Sequence, residues 1–121
     1  MIRGELKLTN RDDLLQRYTD VFGAMSEPIR LDILLKIVEV PELACTVLDE
    51  TLPIAKSTIS YHVKILYQAG LIDVRKEGRY YFYRARREMA DALIPGLLDR
   101  VQVARAGNRS RKARPRVLAA V

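Results

Sequence analysis

The chain has 121 residues, 49% of them hydrophobic and 30% charged, with one cysteine and a net charge of +6. That balance suits a single globular domain with a modest core. A lone thiol excludes an internal disulfide, no apolar run nears the roughly 18 residues of a membrane helix, and the N-terminus lacks the apolar core of a secretion signal, so we expect a cytoplasmic protein with no membrane partner.

The placement of charge says more than its sum. Residues 1–50 hold 6 basic and 10 acidic side chains, a balance of −4. Residues 51–90 hold 8 basic and 3 acidic, or +5, and residues 91–104 hold 1 basic and 2 acidic, or −1. Residues 105–121 hold 6 basic and none acidic, or +6. A bound polyanion would therefore meet the middle of the chain, helped by the tail.

In chain order, Thr9 or Asn10 is placed to cap a first helix, with Asp12 and Asp13 in its first turn. Leu14, Tyr18, Phe22 and Met25 follow at helical spacing. Ser26, Glu27 and Pro28 supply a cap, an acid and an N-terminal proline for a second helix. Its apolar face is Ile29, Ile33, Leu34 and Ile37, and Pro41 ends it. A short third helix fits residues 43–51. Leu52 and Pro53 link it tightly to a fourth, over residues 55–68, which Gly70 closes in a left-handed cap. Strand-like runs at 71–75 and 79–84 flank Lys76-Glu77-Gly78, a hairpin turn signal. A last helix begins near Arg87, and Pro95-Gly96 should kink or split it. The expected fold is mainly α with a small β-hairpin: four helices, two strands and a fifth helix. Residues 1–104 form the domain, and residues 105–121 read as a disordered basic tail.

Two short helices joined by a tight link form a helix-turn-helix unit, whose second helix fits a major groove about 12 Å wide. Such a helix needs two faces. Ile59, Val63 and Leu66 recur at core spacing, while Ser57, Ser60, Tyr61 and Lys64 share a polar face suited to phosphates and base edges. Any amphipathic surface helix would show as much. The ribbon adds the discriminating signal, because Arg75, Lys76 and Arg79 cluster about its turn, where a wing meets phosphates or the minor groove.

These residues resemble a known family. Glu27-Pro28-Ile29-Arg30-Leu31-Asp32-Ile33-Leu34 looks like the P-x-R-L-x-I-L signature of ArsR-type winged helix-turn-helix repressors. Ser57-Thr58-Ile59-Ser60-Tyr61-His62-Val63-Lys64-Ile65-Leu66 with Ala69-Gly70-Leu71-Ile72 is similar to that family's recognition helix and its exit. Arg75-Lys76-Glu77-Gly78-Arg79, with Tyr81 and Tyr83, looks like its wing. The resemblance spans residues 13–103. It implies a homodimer, built on the first and last helices, that blocks transcription at palindromic operators in double-stranded DNA. Leu14, Leu15, Tyr18, Leu93, Leu97, Leu98 and Val101 are then interface candidates, each open to the alternative of ordinary core. Lys56, Ser57, Thr58, Ser60, Tyr61, His62, Lys64, Arg75, Lys76 and Arg79 are the DNA-contact candidates. His62 could meet a phosphate or base, or pack on the helix beneath. The family often carries histidine there, which favours DNA.

The resemblance departs from the family in two places. The usual capping serine of the recognition helix aligns with Ala55, so Ser57 is the available cap and the first contacts are displaced. The family's C-V-C metal site falls on Ala44 and Thr46, with Cys45 between them, and residues 87–103 contain no histidine. No metal or cofactor is expected, since soft or imidazole ligands do not converge. A Cys45 intersubunit bond or sulfenic acid stays open against a simple buried role, as does an organic effector in a dimer groove. In the run 80–83, Tyr81 and Tyr83 share one face and Tyr80 and Phe82 the other. One face should close the core, and the other could line that groove. A winged helix that binds only proteins is the competing class, disfavoured by the basic middle segment. An enzyme is not expected, for want of a phosphate loop, an H-E-x-x-H or a nucleophile elbow.

Overall fold

A computed structural model describes residues 11–110. The candidate caps Thr9 and Asn10, and residues 111–121 of the tail, lie outside the described residues. The order is α1 (Arg11–Met25), α2 (Pro28–Val38), β1 (Leu43–Ala44), α3 (Cys45–Thr51), α4 (Lys56–Gln68), β2 (Ile72–Glu77), β3 (Tyr80–Ala85), α5 (Arg87–Leu93) and α6 (Leu97–Ser110). The helices enclose one core, in which Ile33, Leu34, Ile37, Leu48, Leu66 and Leu71 are fully buried.

Leu14, Tyr18 and Met25 of the expected α1 stripe pack against the core, and Phe22 does not. Val21 and Ala24 are buried, and Phe22, about 100° around the axis from Val21, is 52% exposed. At the start of α2 the cap is Glu27 and not Ser26: its carboxylate accepts the Arg30 backbone N–H at 2.7 Å. Ser26 instead donates its hydroxyl to the Gly23 carbonyl at 2.9 Å. Pro28 takes the first helical position, where its missing N–H costs nothing.

The sheet has three strands in the order β1-β3-β2, all antiparallel. The expected third helix begins two residues late, because Leu43 and Ala44 pair with Tyr83 and Phe82 as a short strand. Two residues are too few for a period to be read. The hairpin turn also shifts. Glu77 pairs with Tyr80, which leaves Gly78 and Arg79 as the loop. Gly78 has φ 66° and Arg79 a negative φ, the primed geometry with glycine first.

The expected left-handed cap closes α4. Gly70 has φ 82°, its N–H reaches the Tyr67 carbonyl, and the Leu71 N–H reaches the Leu66 carbonyl at 3.1 Å. Pro95-Gly96 splits the last helical pattern into α5 and α6. The Gly96 N–H is held by the Asp91 carboxylate at 3.1 Å. The tail does not begin at residue 105: α6 continues to Ser110, and Arg105 forms an ion pair with Asp32 of α2. A partner on α2 thus holds the first of the tail's cations and the helix with it.

Candidate nucleic-acid interface

Helix α3, the link 52–55 and helix α4 make the helix-turn-helix. Ala55 is the N-cap of α4 without a side-chain bond. Its carbonyl accepts the N–H groups of Thr58 and Ile59, both at 3.0 Å. Ser57 is therefore not the cap, and Lys56 and Ser57 belong to the first turn. Leu52 and Ile54 pack on the core and fix the entry of the chain without a capping side chain.

Ile59, Val63 and Leu66 are buried, while Lys56, Ser57, Thr58, Ser60, Tyr61 and Lys64 are exposed, Tyr61 by 59%. Ten DNA-contact residues were expected; these six are exposed, and Ser57, Ser60, Tyr61 and Lys64 among them share one side of α4. His62 does not. It is only 6% exposed, and its Nδ1 lies 3.2 Å from Nη1 of Arg30. An arginine N–H can only donate, so the imidazole faces inward as an acceptor.

Register sorts the wing. Ile72 with Ala85, Val74 with Tyr83 and Lys76 with Tyr81 share the inner face. Asp73 with Arg84, Arg75 with Phe82 and Glu77 with Tyr80 share the outer one. Tyr83 enters the core, and Lys76 passes beyond it with its ammonium 5.7 Å over the Tyr81 ring. Lys76 and Arg79 are exposed at the tip. Arg75 is occupied elsewhere. Its guanidinium donates to both oxygens of Glu42 at 2.8 and 3.0 Å and to Glu77 at 2.7 Å, and it stacks 4.5 Å from the Phe82 centroid. These hydrogen bonds, Glu42 first, push its pKa further up, and the same bond holds the Glu42 carboxyl below its usual range. Two carboxylates thus meet one cation, and Arg75, its side chain half exposed, ties the wing to the segment before β1. Glu42 lies 33 residues from Arg75, beyond any local pattern.

Burial pushes the Tyr83 phenol up to about 12. An unfolded tyrosine ionises near 10. Between those values the unfolded chain has lost a proton that the folded one keeps, so stability falls as pH rises from about 10 to about 12. Chemical denaturation across that window should show the decline, and Tyr83→Phe should flatten it.

Cys45 is half-buried against the core, and its Sγ accepts the Tyr81 backbone N–H at 3.4 Å. Among the described residues no three His, Cys, Asp or Glu side chains gather to hold a metal ion. None of the described helices is long and apolar enough to cross a membrane. The interface candidates divide. Leu93 and Leu98 are buried in the chain's own core, and Tyr18 donates its hydroxyl to the Leu93 carbonyl at 2.7 Å. Leu14, Leu97 and Val101 are half-buried, and Leu15 is 63% exposed. Phe22 and Val103, which were not expected there, add exposed apolar surface to the same two helices.

Residues 25–75 match a family model described as a helix-turn-helix domain. The uncharacterized HTH-type transcriptional regulator YceK of Bacillus subtilis is 33% identical over 95 residues, 78% of this chain and 93% of that protein. The arsenical resistance operon repressor of Bacillus subtilis is 29% identical over 84 residues, 69% of this chain and 80% of the repressor. Two solved structures share the fold. An ArsR-like transcriptional regulator from Rhodococcus sp. RHA1 has a TM-score of 0.59 at 23% identity, covering 82% of this chain and 88% of its own. HlyU from Vibrio cholerae has a TM-score of 0.62 at 24% identity, covering 74% and 91%. An exposed polar helix face and an exposed basic wing tip, on this topology and with these relatives, place the chain in the ArsR-type winged helix-turn-helix family of DNA-binding transcriptional regulators, which are not enzymes.

Proposed function

We propose that the chain acts in the cytoplasm as a homodimeric repressor that occupies a palindromic operator. One observation carries this reading: the polar side of α4 is open along its length, while its other side is core. Lys56, Ser57, Thr58 and Lys64, with Lys76 and Arg79, meet phosphates. Ser60 and Tyr61 read base edges. Leu15 and Phe22 on α1, with Leu97, Val101 and Val103 on α6, supply the apolar surface for a second subunit. Two-fold symmetry then sets the recognition helices about 34 Å apart, one turn of DNA.

Selection from a library of randomised duplexes, paired with sedimentation of the purified protein, tests this. A dimer and an inverted-repeat site are expected. Replacing Ser60 or Tyr61 with alanine should change the selected bases more than it changes affinity for random duplex. A monomer that selects no repeat would contradict the proposal.

A further inference from the structure

Three helices meet at one buried guanidinium. Arg30, on α2, is 9% exposed. Its Nε donates to the Ala24 carbonyl at 2.8 Å and its Nη2 to the Gly23 carbonyl at 3.3 Å. Both carbonyls belong to the last turn of α1, whose C=O groups lack intrahelical partners and carry the negative end of the helix dipole. Its Nη1 reaches Nδ1 of His62, on α4. The Glu27 carboxylate, which caps α2, lies 4.0 Å from the same Nδ1. The Tyr61 ring lies beside the imidazole, with centroids 5.4 Å apart.

His62 differs from its neighbours on the buried side of α4, which are Ile59, Val63 and Leu66. Aliphatic packing has no direction, so it tolerates a small rotation or slide of the helix. A hydrogen bond weakens steeply when misaligned and does not tolerate it. Ser60, Tyr61 and Lys64 ride on the same turns, so a rotation of α4 moves all three relative to a groove.

We infer that Arg30 and His62 are positioning residues for DNA reading: the guanidinium ties the end of α1 to α4 and fixes how far α4 is rotated about its own axis. The inference rests on the homodimer reading for its consequence. If α1 is a dimer helix, the same tie sets the separation of the two recognition helices and hence the spacing of half-sites. His62 touches no base.

The test compares His62→Asn with His62→Leu in the full chain. Asparagine can offer a carbonyl oxygen where Nδ1 stood, and leucine fills the space without an acceptor. The wild type is first checked for dimerisation and for a selected operator, so failure of the dimer reading shows before any variant is made. The ratio of operator to random-duplex affinity should fall about tenfold or more in His62→Leu, with its salt dependence unchanged. His62→Asn should recover most of that ratio. Undiminished discrimination in His62→Leu would overturn the proposal. So would equal loss in both variants with altered preference at one base pair, the pattern of a base-contacting imidazole. Nitrogen NMR of the wild-type imidazole decides independently of whether the variants fold. Nδ1 should resonate as an unprotonated acceptor, both free and on operator DNA. A proton on Nδ1 in either state would overturn the proposal.

Discussion

Replacing Lys64 and Arg79 together with alanine lowers affinity for a random duplex on the order of a hundredfold at low salt, with little change in thermal stability. Both side chains are exposed, one on the polar side of α4 and one in the turn of the wing. Neither has a hydrogen bond or ion pair among the described residues, so removing them leaves the fold intact. In a dimer four phosphate contacts disappear, and the slope of log affinity against log salt should decrease in magnitude by about 3.6. Arg75→Ala is the control. Its charge is already held by Glu42 and Glu77, so the slope should stay within about 0.5 of wild type. Fluorescence anisotropy over a range of salt concentrations measures both. A double variant with the wild-type slope would show that α4 and the wing do not meet phosphates.

Arg30→Met should destabilise the chain by about 3 kcal/mol. Methionine fills much of the volume but donates nothing. The Ala24 carbonyl and the His62 Nδ1 lose the partner that Arg30 gives them inside the protein. The cap of α2 survives, since the Glu27 carboxylate binds the backbone N–H of residue 30 and not its side chain. A domain of this size loses roughly 15 °C of melting temperature for such a change. Calorimetry showing a shift of less than about 3 °C would mean that water replaces the guanidinium at little cost.

Much of this arrangement is readable before any coordinates. The amphipathic character of α4, the closing Gly70, the split at Pro95-Gly96 and the basic hairpin all follow from spacing and turn chemistry. The inward placement of His62 was readable too. Positions 59, 62, 63 and 66 follow the i, i+3, i+4, i+7 rule of a core stripe. Positions 30, 33, 34 and 37 do the same on α2. Each stripe therefore carries one polar member, His62 in second place on α4 and Arg30 in first place on α2, and the two meet. Reading only the apolar members of a stripe hides such a pair. Other features have no local signal. The pairing of Arg75 with Glu42 depends on β1 and β3 coming together, and β1 is too short for periodicity to mark. The core role of Leu93 and Leu98 depends on how α5 and α6 fold back, which helical spacing alone leaves open.

One titration addresses the docking surface most directly: binding of the purified protein to a random-sequence duplex, followed as salt rises from low ionic strength. Four exposed cations per subunit, Lys56, Lys64, Lys76 and Arg79, should give a dimer a slope of about −7 or steeper. A monomer that leaves the duplex unbound even at the lowest salt would refute the idea that this positive face, doubled by symmetry, seats on DNA.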